Sequence, residues 1–326
     1  FRGILRRGPA CCFDLLSEFS EYRVVYLISP LSFKSKQLRL ENMRSEHFFS
    51  SSNKLGEGPL WSPEEQALYW VDIEQHRLHR MIIDEKEMQT VDVGAPVSVL
   101  GLRERGGLIL GVYDHFALYQ PGQEHLQVLA RISLSASGAR LNDGAVDPRG
   151  DFWAGTMSPD GQGCLYRISP DGQVRIMETG LSISNGIAWS PDRRKMYLAD
   201  SGPGVIYVYD YDPASGEIAN RRVFVDARED PGVPDGLTVD AEGFIWSAHW
   251  GGWKVVRYDP EGKVAAEVKV PVEFPTSCAY GGPGMDELYI TSAWTAVENR
   301  SEQPLAGDIF RLHPGVRGLP PYRFKG

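Results

Sequence analysis

One short pattern returns six times along this chain, and few folds accommodate that. Its clearest copy is SNGIAWSPDRRKMYLADS, residues 184–201: a polar residue, a glycine, an apolar run, a Ser-Pro-Asp turn and a second apolar run. The same order occurs in EGPLWSPEEQALYWVDI (57–73), DGAVDPRGDFWAGT (143–156) and DGLTVDAEGFIWSAHW (235–250). Weaker copies are SVLGLRERGGLILGV (98–112) and TSCAYGGPGMDELYITSA (276–293). The first-column positions are 57, 98, 143, 185, 235 and 277, spaced by 41, 45, 42, 50 and 42 residues. Each copy is two strands joined by a tight turn. A further strand follows each copy and ends in a turn, as in CLYRISPDG (164–172) and VVRYDPEG (255–262).

Each unit thus supplies three or four short strands in about 45 residues, the size of one propeller blade. Six units predict an all-β fold, a six-bladed β-propeller, over residues 43–326. A β-helix needs much shorter repeats, and a Greek-key sandwich does not repeat at this period. Abundant Gly (35) and Pro (22), with 11% aromatics, suit a chain of many strands and turns. The last unit has only a short tail after Gly315. A stretch near residues 45–52, including EHFF, is placed to supply the missing outer strand and remove a sheet edge. Residues 1–42 lack the pattern and begin at Phe1. They are expected to be an N-terminal extension outside the fold, either disordered or not native to it.

In a propeller, equivalent positions of successive blades are related by rotation about one axis. The column before the repeated glycine holds Glu57, Asp143, Asn185 and Asp235, with Ser98 and Ser277 nearby in the weaker copies. Three acids and an amide from separate blades then converge at one mouth of the channel. Uncompensated, they repel one another and are costly to desolvate. A divalent cation resolves the conflict. The donors are all oxygens, which favours Ca²⁺ and leaves Mg²⁺, Mn²⁺ and Zn²⁺ open. His and Cys are absent from the column, which argues against a structural zinc site. The competing explanation is that Asp and Asn before Gly are ordinary turn residues. Four aligned copies favour the metal, because clustered acids need a counter-charge.

Charge and cysteine content narrow the function further. The net charge is −9 and no long Lys/Arg block occurs, so no nucleic-acid partner is expected. The apolar run VVYLISPLSF (24–33) contains Pro30 and is too short to span a membrane, and its flanks do not form a signal peptide. Four cysteines without a CxxC pair suit a reducing compartment, and a cytoplasmic location is expected. No feature of the sequence bears on oligomeric state.

The motifs GEGPLW, APVSVLGLR, RLNDGAVDPRGDFWAGTM, SNGIAWSPD, YDYDPASGEIANRR, VPDGLTVDAEGFIW, PTSCAYGG and QPLAGDIFRL occur in this order between about Leu55 and Tyr322. In them the chain resembles the SMP-30/gluconolactonase/regucalcin-like family. The resemblance implies a divalent metal in the channel of a six-bladed propeller, held by Glu57 of GEGP, Asn185 of SNG and Asp235 of PDG. It implies substrate binding by Arg140 and Asn142 of the R-x-N-D motif, with Asp143 orienting these groups rather than ligating. Asp160 is the nearest match to an acidic residue that contacts sugar hydroxyls in some relatives. The local sequence SPDGQG is shorter than in animal regucalcins, which bears on substrate size. The implied chemistry is hydrolysis of a small sugar lactone, of gluconolactonase or pentonolactonase type, with Asp235 also serving as general base. Two rivals stand beside it: another metal-dependent ester or phosphotriester hydrolase on the same scaffold, and a non-catalytic Ca²⁺-binding regulatory protein. His249, Trp250, Trp253 and Trp294 are candidates for channel or rim, with packing between blades as the alternative.

Overall fold

A computed structural model describes residues 43–326 except Lys86. The expected extension at residues 1–42 lies outside the described residues. Twenty-four strands, with no helix among the described residues, form six antiparallel sheets of four strands each. The chain is a six-bladed β-propeller. Blades 1 to 5 are sequential and span 56–92, 97–131, 140–181, 184–226 and 233–269. Blade 6 takes its three inner strands from 275–312 and its outer strand from Glu46–Phe49. Glu46 pairs with Arg311 and His47 with Phe310, so the start of the described chain closes the ring.

Burial falls from the axis outward, and composition follows. Second strands such as ALYWVD (Ala67–Asp72) and LILGV (Leu108–Val112) are buried throughout, because neighbouring blades cover both faces. Outermost strands such as EMQTVD (Glu87–Asp92) are exposed and polar. The cores lie between blades rather than within them. Tyr69 and Val71 of blade 1 pack with Leu100 and Leu110 of blade 2, and Trp153 of blade 3 packs with Trp189 of blade 4.

The recurring Asp-x-x-Gly turn has a physical basis. Asp147 Oδ1 accepts from the amides of Arg149 and Asp151, while Oδ2 accepts from Trp153 Nε1 and the Tyr211 hydroxyl. Asp240 repeats the arrangement with Glu242, Phe244 and Trp246, and adds a buried ion pair to Arg257 at 2.6 Å. One carboxylate therefore closes a hairpin and anchors a core tryptophan.

The C-terminal segment crosses the end of the ring opposite the column. It bonds to Ala241 of blade 5, Met285 of blade 6, Leu102 and Glu104 of blade 2 and Gly150 of blade 3. Arg323 pairs with Glu64 of blade 1, and Tyr322 lies under Arg193 of blade 4. Leu319, Pro320, Pro321 and Tyr322 line a central cavity of about 160 Å³ whose other lining includes Asp143 and Ser277. No helix among the described residues is long and apolar enough to cross a membrane.

Candidate metal centre

Each inner strand breaks register at or beside the repeated column. The shifts fall between Glu57 and Leu60, Val97 and Val99, Leu141 and Gly144, Ser184 and Ile187, Pro234 and Leu237, and Pro275 and Ser277. A bulge re-aims a side chain out of the regular alternation. Here it leaves Ser98, Asp143, Asn185 and Asp235 out of the strand-to-strand pairing, while Glu57 and Ser277 pair with Val71 and Thr291 at its edge.

The following glycines allow the inner strands to meet. A Cβ on Gly186 would lie 2.3 Å from the Leu237 amide nitrogen, and one on Gly236 would lie 2.0 Å from Ser277 Oγ. No side chain fits there, so Asn-Gly and Asp-Gly mark close contact between blades rather than a turn.

Glu57 (7% exposed), Asn185 (5%) and Asp235 (4%) are all buried. Burial raises the Glu57 pKa well above the usual carboxylate range, and the charges of Asp235 and then Asp143 add to the rise. Asp235 is raised by burial and then by the charge of Asp143, and Asp143 by burial to about 6. Three carboxylates in one buried space therefore disfavour each other's ionisation. Asp235 Oδ1 is buried with no hydrogen-bond partner, and Glu57 has a long 3.3 Å bond from the Gly58 amide. No three His, Cys, Asp or Glu side chains among the described residues form a ready metal cage. The set Glu57, Asn185 and Asp235 differs from such a cage in that it has two carboxylates and an amide as its third donor. Its oxygen donors, excess negative charge and orphaned carboxylate oxygen fit a hard divalent cation.

Polar side chains from blades 3 and 4 are joined in a directed chain that ends in blade 5. Arg140 Nη1 donates to Asn142 Oδ1 and to the Leu141 carbonyl. Asn142 Nδ2 donates to Asn185 Oδ1 at 2.6 Å and to the Ser184 carbonyl at 3.0 Å. Asn185 Nδ2 donates to Ser201 Oγ at 2.7 Å, and Ser201 Oγ donates to the Pro234 carbonyl at 2.6 Å. Arg140 also feels the charges of Glu57, Glu74 and Asp235, which partly offset the lowering of its pKa by burial.

Hydrogen bonds join Arg140, Asn142 and Asn185, and charge couples Glu57 and Asp235 to Asp143 and to Arg140. Asp143 differs from the expectation that it orients Arg140 and Asn142. It accepts from its own neighbour's amide, Gly144, and makes no hydrogen bond to either among the described residues. Asn185 and the Ser184 carbonyl hold Asn142 instead. Asp160 stands apart: it is exposed, and it accepts from Ser158 at 2.5 Å, from Ser135 at 3.3 Å and from the Gln162 amide. His249 is buried on the second strand of blade 5 against the Tyr258 hydroxyl, and burial lowers its pKa to about 3. Trp250 packs on Phe274, Trp253 is exposed, and the Trp294 ring is covered by Lys54 and Arg300. Ser201 has no distinguishing signal in the sequence, where Asp-Ser reads as the end of a strand.

Comparison with known proteins agrees with this architecture. The family model described as SMP-30/Gluconolactonase/LRE-like region matches residues 55–294. Regucalcin of Xenopus laevis is 36% identical over 299 residues, covering 88% of this chain and all of the relative. Pentonolactonase XacC of Haloferax volcanii is 39% identical over 282 residues, covering 84% of this chain and 95% of its own. The solved structure of the calcium-binding protein regucalcin from Agrobacterium tumefaciens superposes with a TM-score of 0.83 at 28% identity, covering 87% of this chain and 98% of that one.

Proposed function

The chain belongs to the SMP-30/gluconolactonase/LRE-like family, and from that premise we propose that it is a metal-dependent hydrolase that opens sugar lactones to aldonic acids. The observation that carries the proposal is the buried, unpartnered Asp235 oxygen beside Glu57, in the same group as Arg140. A relative named pentonolactonase, 39% identical, supports the choice of substrate class. Glu57, Asn185 and Asp235 would hold the cation, with Ca²⁺ first among the candidates. When bound, it supplies a Lewis acid that polarises the lactone carbonyl and stabilises charge developing on its oxygen.

The chain's own groups do the rest. Arg140 commits Nη1 to Leu141 and Asn142, so Nη2 and Nε are left to donate to substrate oxygens. Asn142 spends its amide nitrogen on Ser184 and Asn185 and one lone pair of its carbonyl oxygen on Arg140, which leaves the second lone pair to accept from a substrate hydroxyl. Asp235 takes the proton of the attacking water as general base. Asp160, on the loop after the second strand of blade 3, is a candidate outer contact for a larger sugar. The cysteine usage suits a cytoplasmic setting.

A lactone panel with and without EDTA tests the proposal. Pentono-1,4-lactones give the cleanest readout, because 1,5-lactones open spontaneously. Turnover should vanish on chelation and return with added cation. Arg140→Ala should keep the cation but raise KM or lower kcat/KM. Opening of a phosphotriester or aryl ester but of neither lactone ring size would replace this reading with the alternative hydrolase.

A further inference from the structure

We propose that Ser201 is a positioning residue that fixes which end of the Asn185 amide faces a cation. The proposal rests on the reading of Glu57, Asn185 and Asp235 as the ligand set. An asparagine amide has one good cation donor, its carbonyl oxygen, and its NH₂ end repels positive charge. The two ends are nearly the same size, so packing alone does not choose between them. The choice is made by hydrogen-bonding groups that have only one role.

At one end of the chain stands the Pro234 carbonyl, which only accepts. Ser201 must therefore spend its single proton on it, at 2.6 Å. The hydroxyl can then only accept from Asn185, so the Asn185 NH₂ must face Ser201, at 2.7 Å. At the other end stands Arg140, which only donates. Its bond fixes Asn142 with the carbonyl toward the guanidinium and the NH₂ toward Asn185. Both ends thus demand the same orientation: Asn185 nitrogen on Ser201, Asn185 oxygen turned away from it. One lone pair of that oxygen accepts from Asn142, and the second remains for a cation.

Ser201 is itself held in place. Its amide donates to the Ile183 carbonyl at 3.0 Å and its carbonyl accepts from Gly204 at 3.1 Å, so its backbone is anchored on both sides. Its partner Pro234 precedes Asp235 in the inner strand of blade 5. One hydroxyl therefore joins the blade that carries the amide to the strand that carries the carboxylate. Removing it frees the Asn185 amide to rotate and leaves a buried N–H unpaired.

The experiment is calorimetric titration of chelator-stripped, full-length protein with Ca²⁺ and Mn²⁺, in wild type, Ser201→Ala and Ser201→Thr, with melting of each in the absence of metal. Ser201→Ala should weaken cation binding by about tenfold or more, as loss of groups that orient a ligand does, while Ser201→Thr, which keeps the hydroxyl, should recover most of the affinity. Should the alanine variant fail to fold, Ser201→Cys, close in size and a poor acceptor, should show the same loss. Wild-type affinity in a folded Ser201→Ala or Ser201→Cys overturns the proposal. Equal losses in the alanine and threonine variants also overturn it, because packing and not the hydroxyl would then be responsible. A wild-type protein that binds neither ion overturns the ligand set itself and this role with it, an outcome distinct from selective loss in the variants.

Discussion

Glu57 and Asp235 are buried where each raises the energy of the other's charge, so without a cation these residues weaken the fold they belong to. This gives two opposite expectations for one substitution. Asp235→Asn removes one of the repelling charges and should raise the melting temperature of the metal-free protein. It should also abolish most of the stabilisation that added Ca²⁺ gives the wild type, because a charged oxygen ligand is gone. Thermal melts of both proteins with and without cation check the pair of effects. A variant that is less stable without metal and still fully stabilised by it would contradict the account. The column was legible in the sequence because it repeats: Glu57, Asn185 and Asp235 occupy one register in three blades. The partners that orient it were not. Ser201 acts through a single hydroxyl on a strand-end dipeptide, and the independence of Asp143 from Arg140 depends on side-chain directions that spacing does not encode.

At the level of strands and turns, the repeated aspartates carry more stability than their exposed-looking motif suggests. Asp240 is wholly buried and accepts from two turn amides, Trp246 and Arg257. Asp240→Ala would leave the buried Arg257 guanidinium without its main partner and should cost about 3–5 kcal/mol, measured by urea unfolding. The third strand of blade 1 supplies a pH dependence. His79 stacks on Trp70 at 5.0 Å, bonds to Thr90, and has its pKa lowered to about 4 by burial and then by the charge of Arg77. The folded state holds it neutral, whereas the unfolded chain protonates below its ordinary value of 6.5. Its contribution is therefore fully present above pH 6.5 and is lost as pH falls through about 4, up to about 3 kcal/mol. His79→Phe should flatten that part of the stability profile in unfolding titrations across this range. Strand positions were readable because buried runs and Asp-x-x-Gly turns alternate. The bulges were not, since a one-residue register shift leaves no mark on composition.

The ring as a whole depends on closure. Blade 6 is completed by Glu46–Phe49, where His47 meets Asp308 at 2.9 Å, Arg311 meets Glu46 at 2.6 Å, and Phe48 packs edge-on to Tyr289. A chain beginning at Met43 keeps every described strand and should fold. One beginning at Lys54 loses the closing strand, exposes an unpaired edge and should melt lower and self-associate. Gel filtration and thermal melts distinguish the two, and equal behaviour would mean that the closure contributes little. The C-terminal strap went unread because Leu319–Tyr322 has no strand pattern, and its contacts are to six turns far apart in sequence. Closure also brings together residues from blades 1, 4 and 5, and the central claim is that one cation sits among them. Anomalous diffraction from crystals soaked in Mn²⁺ tests it most directly. The account predicts a single strong peak within coordination distance of Glu57, Asn185 and Asp235. A peak elsewhere, or none at saturating Mn²⁺, would contradict it.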